Sequence, residues 1–114
     1  MKEEEMFEPM IKYLEDNGYK IKEQHRGREG GPDIVAEKNG RELVIQMKGY
    51  TANLSVDFGT CIGQLLRYIK SEDSDYGMAF PLSYLRFVKD SEYPIKKLGI
   101  RVFIVSRKDV VRLW

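Results

Sequence analysis

The chain has 114 residues, enough for one domain with a modest core, and its 42% hydrophobic and 11% aromatic content excludes a disordered polymer. Nineteen basic and eighteen acidic residues leave a net charge of +1, so no nucleic-acid partner is advertised by overall charge and any electrostatic footprint is a local patch. The single cysteine, Cys61, excludes an internal disulfide and any structural zinc site, and with no apolar run of membrane-spanning length or signal-like start the chain reads as soluble and cytoplasmic.

Residues 3–17 carry Met6, Phe7, Met10, Ile11 and Leu14 at spacings of three and four, which predicts one amphipathic helix. Pro9 belongs in a first turn, which would delay the regular helix to about Glu5–Glu8, and Asn17-Gly18 supplies the stop. Residues 19–25 alternate weakly, as a half-exposed strand does. The loop Arg26-Gly-Arg28-Glu-Gly-Gly-Pro32 follows.

The next twenty residues organise everything else. Asn39-Gly40 between two apolar runs predicts a type I′ hairpin turn, because both central positions need positive φ. If those two residues form the turn, Lys38 pairs with Arg41, and counting outward sets Asp33 opposite Gln46. Alternation then groups Asp33, Val35 and Glu37 with Glu42, Val44, Gln46 and Lys48 on one face. A carboxylate, an amide and an ammonium converge at the open end of the hairpin. Leu43-Val44-Ile45 reads as a central, doubly covered strand, and polar residues at the end of such a strand call for a reason. Glu37 and Glu42 face each other nearer the turn, where solvent relieves them.

Beyond Gly49, residues 50–57 are polar and irregular. Asp57 would cap a helix over 57–70 that buries Phe58, Cys61, Ile62, Leu65, Leu66 and Ile69. Gly59 and Gly63 each weaken it by roughly 1 kcal/mol relative to Ala, and their spacing invites another backbone to approach. Tyr76–Phe80 is a short strand, 82–97 a loose helix interrupted at Ser91 and Pro94, Ile100–Val105 a buried strand, and 110–114 a last short one. Without that last segment the order is α-β-β-β-α-β-α-β, in an α/β fold with a mixed sheet of four or five strands and helices on both faces.

Pro32-Asp33, a spacer of twelve residues, and Gln46-Met47-Lys48 at the end of an apolar strand resemble the motif of the PD-(D/E)xK nuclease superfamily, with its restriction-endonuclease-like αβββαβ core. Glu8 on the preceding helix matches the extra acidic position of many members. Gln64 and Tyr68, one helical turn apart, resemble the Gln-x-x-x-Tyr spacing of RecB-like domains, and the first half of the chain looks most like archaeal Holliday-junction resolvases and Mrr-type domains. The resemblance implies a Mg²⁺- or Mn²⁺-dependent deoxyribonuclease, endo- or exonucleolytic, with branched or structured DNA among its substrates, in a homodimer. It implies Asp33, Gln46, the main-chain carbonyl of Met47 and Glu8 as metal ligands, with Lys48 placing water or stabilising phosphate charge. Gln64 and Tyr68 are implied as auxiliaries, and Arg26 and Arg28 as phosphate contacts. Gln46 stands where Asp or Glu is usual, so the site carries one negative charge less. Two other functions are compatible with that departure: a nuclease-like domain that only binds nucleic acid, and a protein-interaction module. His25, the only histidine, reads as a bystander, and the cations of the C-terminal third as either a nucleic-acid face or ordinary solubility charge.

Overall fold

The computed structural model describes residues 1–27 and 30–114. Its centre is a six-stranded sheet in chain order: β1 (Lys20–Gln24), β2 (Ile34–Lys38), β3 (Arg41–Met47), β4 (Ser74–Phe80), β5 (Ile100–Val105) and β6 (Val110–Arg112). The first three strands are antiparallel, β3, β4 and β5 are parallel, and β6 returns antiparallel. The α/β class and restriction-endonuclease-like mixed sheet hold, with one strand more than the upper expectation.

Helix α1 (Glu3–Asp16) covers one face through Met6, Phe7, Met10 and Leu14, packed on Ile34, Ala36, Leu43, Ile45, Met47 and Phe103. Helices α2 (Leu54–Tyr68), α3 (Leu85–Asp90) and α4 (Glu92–Lys97) cover the other, where Phe58, Cys61, Leu65, Val88 and Ile95 meet Val44, Tyr76, Met78, Ile100 and Val102. Alternate residues of β3 thus feed opposite cores, as the continuous apolar run requires.

Three expectations need correction. Helix α1 starts at Glu3 and carries Pro9 in its interior. Full burial of four large side chains, at about 1.5–3 kcal/mol each, outweighs the roughly 3 kcal/mol that an interior proline costs. Helix α2 begins at Leu54 after Asn53, so Asp57 is not its cap; the Asp57 carboxylate instead accepts from the Thr51 hydroxyl. Gly59 and Gly63 meet no neighbouring backbone: a Cβ at either finds nothing within 4 Å.

The hairpin forms as its turn chemistry dictates. Asn39 and Gly40 have φ of 55° and 76°, and the ladder runs Lys38–Arg41, Glu37–Glu42, Ala36–Leu43, Val35–Val44 and Ile34–Ile45. The facing glutamates are relieved by Lys22, whose ammonium lies 3.1 Å from Glu37.

Candidate active site

Asp33 and Gln46 are the only acidic, basic or amide side chains buried among the described residues, each 7% exposed. Both lie where β3 ends. Asp33 sits one residue before β2, in a bend beyond the ladder, and its Oδ2 accepts the Met47 N–H at 2.7 Å. The bend is built locally. The His25 N–H donates to the Asp33 carbonyl at 2.9 Å, and Gly31, with φ of 106°, lets the His25 imidazole pack against its Cα. A side chain there would meet the ring at 3.0 Å.

Gln46 points to the α2 side. Its Nε2 donates to Gln64 Oε1 at 2.9 Å, while its own Oε1 is buried with no partner. Leaving a buried acceptor unsatisfied costs about 1–3 kcal/mol. The Cys61 thiol faces the Gln46 carbonyl at 3.8 Å, and burial pushes that thiol up.

Lys48 is half-buried, and its N–H donates to the Ala79 carbonyl at 3.1 Å, extending the β3–β4 ladder. The chain then passes directly over the start of α1. A Cβ on Gly49 would overlap the Glu3 nitrogen and the Lys2 carbonyl carbon. The Tyr50 N–H donates to the Met1 carbonyl at 2.7 Å, and the buried Tyr84 hydroxyl donates to the Gly49 carbonyl at 2.7 Å. This packing brings Glu3 to the site. Burial raises the Glu3 carboxyl, and Lys48 opposes the shift. Asp33 is pushed up to about 6, chiefly by burial and further by Glu3; the Met47 N–H, Lys48 and His25 pull it back. The centre therefore straddles the end of the sheet, with Glu3 arriving on the α1 side and Gln46 with Gln64 on the α2 side.

Of the two α1 acids, Glu3 is half-buried and acts electrostatically on Asp33, whereas Glu8 is exposed. At roughly 100° per residue, Glu3 falls in the middle of the Met6–Phe7–Met10–Leu14 stripe and Glu8 about 140° away. Glu8 is exposed, in a shallow groove with Ile11, Lys12, Glu15 and Arg26. Helical periodicity alone would have found Glu3. The auxiliary pair also separates: Gln64 reaches Gln46, whereas Tyr68 is half-buried against the apolar core. Arg26 lies over the Phe7 ring at 4.6 Å and is held by Gln24 at 3.1 Å and Glu4 at 3.3 Å. Arg28 lies outside the described residues. Of the C-terminal cations, Lys96 pairs with Glu92, Arg101 with Asp75 and Arg107 with Glu5.

Among the described residues no group of three or more His, Cys, Asp and Glu side chains converges. The oxygens at hand are the Asp33 carboxylate, the orphaned Gln46 amide oxygen and the Glu3 carboxylate, with the Met47 carbonyl next along the chain. An all-oxygen set with a vacant buried acceptor fits a hard divalent cation that keeps part of its water, and does not fit a thiolate- or imidazole-bound metal.

Comparison with known proteins yields a family and a fold. The family model Mrr_cat, described as restriction endonuclease, matches residues 1–114. Among solved structures, an XisH family protein from Nostoc punctiforme PCC 73102 is similar over 94% of this chain and 96% of its own, with a TM-score of 0.68 and 19% identity. An fdxN element excision controlling factor protein from Anabaena variabilis gives a TM-score of 0.67 and 18% identity, over 95% of this chain and 96% of that one. No curated protein matches. At such identities the structural likeness speaks to fold alone.

Proposed function

Because this chain belongs to the restriction endonuclease family whose model spans it from end to end, we propose that it is a divalent-cation-dependent deoxyribonuclease with its centre at Asp33, Gln46, Lys48 and Glu3. The observation that carries the reading is the burial of Asp33 and Gln46 together at the end of β3 beside a lysine, with the Gln46 Oε1 unsatisfied. Asp33, Gln46 and Glu3 would hold Mg²⁺ or Mn²⁺, with the Met47 carbonyl as a further oxygen. When bound, the ion would supply Lewis-acid relief of charge on the phosphoryl oxygens and would make a bound water easier to deprotonate.

The remaining work falls to the protein. Lys48 places positive charge where the scissile phosphate gains negative charge, and its three N–H donors orient the attacking water. Asp33 accepts from the Met47 N–H through Oδ2, so its carboxylate is held by a fixed hydrogen bond and does not rotate freely. Raising Asp33 to about 6 leaves it ionised at neutral pH, yet poorly satisfied until a cation neutralises it.

The test is cleavage of supercoiled, single-stranded and branched DNA with Mg²⁺ or Mn²⁺. Asp33→Ala, Lys48→Ala and Glu3→Ala should each lose activity, and Glu8→Ala should retain it. Wild type indistinguishable from Asp33→Ala and Lys48→Ala on every substrate would end the nuclease reading. The neutral Gln46 amide gives a second reading, a family member that binds DNA without cutting it, and retained affinity in that outcome would favour it. Sedimentation of the chain with and without DNA tests whether it acts as a homodimer.

A further inference from the structure

The buried acid usually found in the motif is replaced here by an amide, and an amide has a direction. A carboxylate presents oxygen whichever way it turns, whereas Gln46 presents oxygen on one side and an NH₂ group on the other. Only one orientation serves a cation. Gln64 on α2 fills the position that decides between them: its Oε1 takes the Gln46 Nε2 at 2.9 Å, and Gln46 Oε1 remains the vacant acceptor. Turning the Gln46 amide over would set two acceptor oxygens against each other unless Gln64 also turned.

We propose that Gln64 is a positioning residue that locks the Gln46 amide with its oxygen available to a divalent cation, so that the Gln46–Gln64 pair replaces the missing acid. This rests on the reading that Asp33 and Gln46 share the cation. Gln64 does not touch the ion; it acts through the amide that does. The same logic explains how a neutral ligand is tolerated: orientation supplied by Gln64 stands in for the symmetry of a carboxylate.

The proposal separates from a packing role in a double-mutant cycle read by Mn²⁺ titration of the intact protein, without DNA. Gln64→Leu removes the acceptor and keeps the bulk, and should weaken Mn²⁺ binding about 10-fold or more, as loss of a ligand's outer partner typically does. Gln64→Glu keeps an acceptor in place and should restore binding. In a Gln46→Glu background the ligand's two oxygens are equivalent, so Gln64→Leu should change affinity less than about 3-fold. An equal loss in both backgrounds, or no loss in either, overturns the proposal while leaving the metal reading intact.

A second readout needs no metal. In ¹⁵N-labelled protein the Gln46 side-chain amide should show one proton protected from solvent exchange, and Gln64→Leu should abolish that protection. Fast exchange in the wild type overturns the proposal. Mn²⁺ titrations that do not distinguish wild type from Asp33→Asn overturn it through its premise, and identify the metal reading as the part that failed.

Discussion

Replacing Asp33 by Asn should stabilise the metal-free protein at neutral pH while removing its cation affinity. The folded-state carboxyl is pushed up to about 6 from an ordinary 3.8, chiefly by burial. A group raised in this way binds its proton more tightly folded than unfolded, so its contribution to stability is complete below about pH 4 and is lost as pH rises through 6. Two pK units correspond to roughly 3 kcal/mol at 1.36 kcal/mol per unit, and for a chain of this size to about 10 °C in Tm. Asparagine keeps an oxygen for the Met47 N–H and carries no charge to desolvate. Urea denaturation in EDTA should show the two proteins close together at pH 4 and the Asn variant ahead by about 1–3 kcal/mol at pH 7.5. Taking the difference cancels Glu5, Asp75 and Glu92, whose lowered carboxyls act with the opposite sign. Adding Mg²⁺ at pH 7.5 should raise the wild type alone, by RT ln(1 + [L]/Kd). An Asn variant that is less stable at pH 7.5, or a gap that does not change with pH, would refute the argument that Asp33 is a strained, buried charge held for a cation.

Gly49→Ala should destabilise the fold by about 1–3 kcal/mol, because its Cβ would overlap the Glu3 nitrogen, and isothermal titration should show divalent affinity falling as α1 is displaced. Gly59→Ala and Gly63→Ala should each add roughly 0.5–1 kcal/mol in thermal denaturation, since both glycines are exposed on α2 with open space where a Cβ would go. Cys61 is fully buried and its thiol is pushed up; iodoacetamide followed by mass spectrometry should label it only under unfolding conditions, and rapid labelling of native protein would contradict its place behind β3.

What the sequence determined by itself is whatever depends on neighbours along the chain. Asn39-Gly40 can satisfy two positive φ values, so the turn and the register of five residue pairs follow from two letters, and with them the proximity of Asp33 to the end of β3. Helical periodicity likewise determined the buried stripe of α1, and it sets Glu3, not Glu8, in the middle of that stripe. The motif spacing pointed to the family for the same reason, since hairpin length and strand alternation are local.

Tertiary structure decided the rest. Pro9 lies inside α1 because burial of its neighbours outweighs a local preference, and burial is a property of the assembled layers. Helix α2 starts at Leu54, ahead of Asp57, whose carboxylate accepts from Thr51 instead of capping a helix. Above all, the centre is joined across both faces of the sheet. Gly49 lets the chain cross closely over the start of α1, where Glu3 comes within electrostatic reach of Asp33, and α2 brings Gln64 to the Gln46 amide eighteen residues away. No local rule contains those contacts, because each exists only once helices on opposite faces have packed against the same strand end.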